Sequence, residues 1–193
     1  MADKLTRYRG KRDFDRTREP RGRGPRGTRS DPHFVIQHHL ATADHYDFRL
    51  EIDGVLVSWA VPKGPSTDPR ERRLAKRTED HPLGYEDFEG VIAKGQYGGG
   101  TVQVWDRGTF HNVSKDGDRE LSATAGLERG HLSFRLAGEK LSGGYSMIRT
   151  RGEDLWLLIK KQDAGADARR RPTRTQPESV LTGRTLEQIA ADG

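Results

Sequence analysis

His39, His45 and Asp47 carry donor atoms at a spacing that can hold a metal ion. Between His45 and Ile52, the residues Tyr46, Phe48, Leu50 and Ile52 are apolar, while His45, Asp47, Arg49 and Glu51 are ionisable. Strict alternation of this kind marks a β-strand, and a strand sets residues i and i+2 on one face roughly 6.5–7 Å apart. His45 and Asp47 are therefore neighbours on a shared face, with Arg49 next along it. The run from His33 to His39 also alternates, with Phe34, Ile36 and His38 on one face and Val35, Gln37 and His39 on the other. If the two strands pack side by side, Gln37 and His39 turn toward the same point. Two imidazoles and a carboxylate then converge, leaving positions open for water and substrate. Such a mixed N/O set suits Mn²⁺, Fe²⁺ or Zn²⁺ better than Ca²⁺ or Mg²⁺. Arg49 would add a forked donor matched to a phosphate or carboxylate oxygen. The same alternation also describes the solvated outer face of an antiparallel strand, and spacing alone leaves both readings open.

A second polar cluster runs from Glu79 through His81 and Tyr85 to Asp87. His81 could serve as a general acid or a phosphate ligand, since an unperturbed imidazole titrates near 6.5; a lone His before Pro is equally a turn residue. Lys63, Arg72, Arg73, Lys76 and Arg77 lie between the clusters, and one or two of them facing the metal could neutralise a phosphodiester. Gly95–Gly100 (GQYGGG) lacks the Lys-Ser/Thr of a P-loop and reads as a turn. His33, His38, His111 and His131 belong to no constellation.

Short strands must position these groups. Asp53-Gly54 between Ile52 and Val55 predicts a hairpin with a type I′ turn. Further strands are expected at 55–61, 101–106, 131–136, 144–150 and 154–160, with a helical turn or two at 68–76. Trp59, Trp105 and Trp156 fall inside strand patterns as core residues. The expected class is all-β with minor helix: a small closed or nearly closed barrel of antiparallel strands with a few short flanking helices.

The 193 residues contain no cysteine, which excludes a disulfide framework, a thiolate zinc site and a cysteine nucleophile. The longest strongly apolar run, Leu155–Ile159, is far too short to span a bilayer, and Met-Ala-Asp-Lys has no apolar signal region. A soluble, cytoplasmic protein is expected. The net charge of +5 is unevenly distributed: residues 1–30 carry +7, residues 31–163 carry −3 and residues 164–193 carry +1. A basic arm points to a polyanion, foremost nucleic acid. The expected organisation is a basic arm (1–30), a β-barrel domain (31–163) and a largely disordered extension or linker (164–193).

The segment from Phe34 to Ser66 (FVIQHHLATADHYDFRLEIDGVLVSWAVPKGPS) and that from Glu79 to Gly108 (EDHPLGYEDFEGVIAKGQYGGGTVQVWDRG) closely resemble the 3′-phosphoesterase domain of bacterial DNA ligase D, which serves non-homologous end joining. YRGKRDFDRTREP from Tyr8 matches too, so the resemblance runs to about Lys160. It implies a Mn²⁺-dependent enzyme that removes a 3′-terminal ribonucleoside from a DNA primer–template and then hydrolyses the remaining 3′-phosphate to a hydroxyl. By the resemblance, His39, His45 and Asp47 are the metal ligands. Arg49 and His81 contact the scissile phosphate, with Tyr85 close by, and Gln37, Lys63 and Arg73 occupy supporting positions. Arg12, Asp13 and Glu19 match an N-terminal segment that contributes to activity, so the arm is expected to be partly ordered onto the site, with only about residues 21–29 flexible. Partners implied are an end-joining ligase, a polymerase and Ku. These residues include no ligase or polymerase module, so a free-standing or excised phosphoesterase is expected, with association with the nucleoid when it acts on DNA. Two other readings stay open: a non-catalytic nucleic-acid module, and a non-haem Fe(II) oxygenase whose facial triad would recruit His111 or His131 and leave His39 idle.

Overall fold

The computed structural model describes residues 3–22 and 31–193, so most of the segment expected to be flexible, 21–29, lies outside the described residues. In chain order the elements are α1 (Thr6–Gly10), β1 (His33–Leu40), β2 (Asp44–Ile52), β3 (Val55–Val61), β4 (Arg72–Arg77), a 3₁₀ helix (Leu83–Asp87), β5 (Gly90–Ile92), β6 (Gly100–Asn112), β7 (Lys115–Asp116), β8 (Arg119–Glu120), α2 (Ala123–Arg129), β9 (His131–Gly138), β10 (Ser142–Arg149), β11 (Leu155–Lys160), α3 (Pro172–Thr175) and α4 (Leu186–Ala191). Neighbouring strands pair in the order β1-β2-β3-β4-β11-β10-β9-β6, and β6 returns to pair with β1. The result is a closed, eight-stranded antiparallel barrel, the expected class. β5 adds to β6, and β7 with β8 forms a separate ribbon.

The hairpin joining β2 to β3 follows its sequence signal: Asp53 and Gly54 take φ values of 50° and 78°, the left-handed pair that a type I′ turn requires. On β1 and β2, Phe34 pairs with Leu50 and Ile36 with Phe48. The Phe48 ring lies 5.8 Å from that of Phe134 on β9, which also meets Phe110 and Tyr145 at 6.3 Å. This face therefore fills the barrel. The opposite face carries Val35, Gln37, His39, His45, Asp47 and Arg49, with Gln37 across from Asp47 and His39 across from His45. Ala60 and Ser58 of β3 pair with Asp47 and Arg49 on the other side. It is an outer face, yet it is not solvated. Residues 3–22 and the segment around the 3₁₀ helix cover it, leaving Arg49 only 2% exposed and Asp47 7%.

Three of the differences from expectation bear on how the barrel is closed and covered. The helical turn expected at 68–76 gives way to β4, which pairs with β11 to complete the barrel; only Ala75 of that strand is buried, so its charged sequence shows little of the pairing that holds it. α2 was not expected, although Ser122 caps it by accepting the Ala125 N–H and Gly130 ends it at φ 76°. Residues 164–193 form a docked strap rather than a disordered extension. Trp105 Nε1 donates to the Gln176 carbonyl at 2.8 Å, Lys140 Nζ donates to it at 2.9 Å, and the Val180 N–H reaches the Val104 carbonyl at 3.0 Å. Ile189 and Leu186 of α4 are buried, and Thr185 with Gln188 forms a capping box. Most of these anchors are backbone carbonyls, which leave no periodic trace in sequence. Trp59, Trp105 and Trp156 are all buried. Among the described residues, no helix is long and apolar enough to cross a membrane.

Candidate active site

β1 and β2 bring one ligand atom from each of His39, His45 and Asp47 to within 4.8 Å of one another. His39 Nδ1 stands 3.4 Å from Asp47 Oδ2, and His45 Nε2 stands 3.7 Å from Asp47 Oδ1. Hydrogen bonds on the far side of each ring fix the tautomers. His39 Nε2 lies 2.9 Å from the Gly98 carbonyl, and His45 Nδ1 lies 2.9 Å from the Ala43 carbonyl. A carbonyl only accepts, so those nitrogens carry the protons and the lone pairs sit on His39 Nδ1 and His45 Nε2, both turned toward Asp47. Backbone carbonyls commonly orient metal-binding imidazoles in this way. Burial favours a neutral Asp47 carboxyl, but the Arg49 guanidinium beside it leads the opposing influences and the group is held ionised well below the usual carboxylate range. Two imidazoles, which ligate in the neutral form, and a carboxylate fit a divalent transition ion.

Arg49 is held on three sides. Its Nε donates to Gln37 Oε1 at 2.8 Å, Nη1 to Ser58 Oγ at 2.9 Å and Nη2 to Asp47 Oδ2 at 3.1 Å. Gln37 is itself fixed by donating to the Tyr85 and Phe88 carbonyls, each at 2.9 Å. His81 Nδ1 lies 2.9 Å from both the Glu79 carbonyl and Arg49 Nη1, and its Nε2 lies 3.3 Å from Arg12 Nη2. Both guanidiniums can only donate and the Glu79 carbonyl can only accept, so Arg49 and Glu79 compete for Nδ1 while Arg12 faces Nε2. Burial, then the charges of Arg49 and Arg12, push the His81 pKa well below its ordinary value, so the ring is neutral. Tyr85 donates to Glu19 Oε1 at 2.9 Å, which also receives Arg12 Nε at 2.8 Å. Burial and the Glu19 charge keep the Tyr85 phenol protonated, its pKa well above the ordinary range. Arg12, Glu19, Arg49, His81 and Tyr85 line one cleft of about 270 Å³ with His39, His45 and Asp47.

Comparison with known proteins places this arrangement. The family model described as the DNA ligase D 3′-phosphoesterase domain matches residues 37–149. The chain belongs to that family. The multifunctional non-homologous end joining protein LigD of Pseudomonas aeruginosa is 51% identical over 188 residues, covering 94% of this chain and 22% of the relative. The corresponding DNA repair protein of Mycobacterium tuberculosis is 46% identical over 157 residues, covering 81% and 20%. That of Mycolicibacterium smegmatis is 44% identical over 163 residues, covering 84% and 21%. The chain thus spans about a fifth of the length of the curated relatives it matches.

Of the residues expected at the site of this phosphoesterase domain, the fold brings His39, His45, Asp47, Arg49, His81, Tyr85, Arg12 and Glu19 to one cleft, with Gln37 directly behind Arg49. The remaining three lie outside its lining. Lys63 is exposed, Arg73 pairs with Glu71 at 2.5 Å, and Asp13 is exposed, with its carboxylate accepting the Asp15 N–H at 3.1 Å. His111 lies in a separate cavity with Arg135 and Leu136, and His131 contacts Ser133, so neither completes a facial triad with His45 and Asp47. Pattern reading passed over Ser58, Tyr8 and the Gly98 carbonyl. Tyr8 is fully buried beneath Arg12, whose guanidinium lies 3.8 Å from its ring centre. Ser58 sits on β3 across from Arg49, a position the hairpin register alone would have revealed.

Proposed function

We propose that this chain is a Mn²⁺-dependent phosphoesterase that heals DNA 3′ ends for non-homologous end joining, removing a terminal ribonucleoside and then the 3′-phosphate it leaves. The observation that carries the reading is the cleft itself: two imidazoles with lone pairs aimed at one carboxylate, beside a guanidinium fixed before any ligand arrives. Family membership and the names of the relatives support the same conclusion.

The negative charge of a phosphate ester repels an incoming nucleophile, so charge neutralisation is the main catalytic need. Held by His39, His45 and Asp47, a divalent ion would supply Lewis acidity and a bound water of lowered pKa. Arg49, anchored by Gln37, Ser58 and Asp47, brings its positive charge to the edge of this cluster already in place. Arg12 brings a second guanidinium, seated on Glu19 and Glu79 at 2.8 and 3.2 Å. His81 enters the reaction neutral. It keeps the two guanidiniums apart and orients them. Healed ends would pass to an end-joining polymerase and ligase assembled with Ku.

The test is a primer–template ending in one ribonucleotide, compared with its 3′-phosphate form, in Mn²⁺ and in EDTA. The reading predicts metal-dependent conversion of the first to the second and then to a 3′-hydroxyl. DNA binding with no turnover under any divalent metal would overturn it in favour of a non-catalytic nucleic-acid module.

A further inference from the structure

Tyr97, in the Gly-rich segment that reads as a mere turn in sequence, stands at a junction. It lines the 270 Å³ cleft and also a second groove of about 480 Å³, and the two share Thr78, Glu79 and Tyr97. The neighbouring Gly98 supplies the carbonyl that orients His39, so this loop is tied to the site by its backbone. Tyr97 is 46% exposed, and the Arg12 guanidinium lies 5.4 Å from its ring centre. That exposure is ordered: the hydroxyl receives Lys11 Nζ at 2.9 Å and donates to Glu79 Oε2 at 3.3 Å, while Lys11 Nζ lies 4.4 Å from the ring centre. Thr78 Oγ1, at the same junction, is buried without a hydrogen-bond partner among the described residues.

The groove beyond is basic. Lys4, Arg7, Lys11, Lys76 and Arg77 line it against Glu79, Asp80 and Asp154. Glu79 is already neutralised by Lys11 and Arg12, and Asp80 by Arg77. Arg7 and Lys76 are exposed and have no ion pair among the described residues. An oriented aromatic ring between a phosphate-binding cleft and a cationic groove is the arrangement that single-stranded nucleic acid uses: bases stack on the ring while the backbone follows the charge.

We infer that Tyr97 is the seat of the terminal nucleobase of the DNA 3′ end, and that the Arg7–Lys76 groove carries the backbone phosphates of the same strand. This inference rests on the phosphoesterase reading for which end of the strand enters the cleft. Stacking is sequence-tolerant, so Tyr97 would hold any of the four bases.

The experiment is equilibrium binding of a 3′-phosphate oligonucleotide in EDTA, with the terminal nucleotide either intact or abasic, read by fluorescence anisotropy. The parent protein should favour the intact end by roughly tenfold. Tyr97→Phe should keep that preference and Tyr97→Leu should abolish it. Arg7→Ala and Lys76→Ala should each lower the slope of log K against log salt by about 0.7. If Tyr97→Leu keeps the parent ratio, or weakens both ends equally, the seat is refuted; an equal loss would mean that the residue acts through the Gly98 loop. Because no turnover is involved, failure here leaves the phosphoesterase reading intact, and an inactive site would leave this binding result intact.

Discussion

The imidazole of His81 sits between two guanidiniums in a buried site, so its charged form is disfavoured in the folded protein. The folded ring stays neutral where the unfolded one takes up a proton, below about 6.5. In that window the unfolded state binds more protons, so stability falls as pH falls from about 6.5 toward the depressed folded value. The parent should therefore lose stability between pH 7 and pH 5.5 faster than His81→Asn, by up to about 1.4 kcal/mol per pH unit. Urea unfolding at the two pH values checks this, and equal losses would mean that His81 is not held neutral. His38, also lowered by burial, is common to both proteins and cancels. At this scale the convergence of His39, His45 and Asp47 was legible in the sequence because strand alternation fixes which side chains share a face. The tautomers were not. They depend on the carbonyls of Ala43 and Gly98, and the Gly98 contact is made only once a distant loop folds over β1.

β1 and β2 present the site, but the barrel that holds them depends on closures elsewhere. β6 and β9 approach closely where Gly108 pairs with Gly138. A Cβ at Gly138 would stand 2.5 Å from Phe34 Cζ, 2.7 Å from Asp106 Oδ2 and 2.9 Å from the Leu141 carbonyl. Phe34 lies on β1, so strain there reaches the strand that carries His39. Gly138→Ala should cost roughly 1–3 kcal/mol of stability, measured by urea unfolding, as overpacking does; a neutral result would show that the β6–β9 contact has slack. The hairpin and most barrel strands were legible because they carry period-two patterns and a turn signature. β4 was not, because a strand with one buried side chain is specified by its β11 partner and not by its own alternation. The C-terminal strap escaped notice for a related reason: its main anchors are carbonyls meeting Trp105 and Lys140.

Over the whole molecule, the charge of +5 divides into a strongly basic arm and a body of residues 31–163 that is slightly acidic. The described part of that arm does more than supply charge. Arg12 and Glu19 line the cleft and Tyr8 lies buried beneath Arg12, so the arm contributes side chains to the site as well as charge. Local neutralisation by two placed arginines, and by the proposed ion, makes net charge a poor guide to what this surface binds. The missing cysteines agree with a site built from imidazole and carboxylate. The central claim is that His39, His45 and Asp47 hold the ion on which turnover depends. Its most direct test is phosphate release from a 3′-phosphate primer–template in Mn²⁺ by the parent and by Asp47→Asn, which keeps the side-chain shape and an acceptor for Arg49. The account predicts steady release by the parent and a fall of at least about a hundredfold in the variant, with its folding intact. Release by a folded Asp47→Asn protein at the parent rate would contradict it.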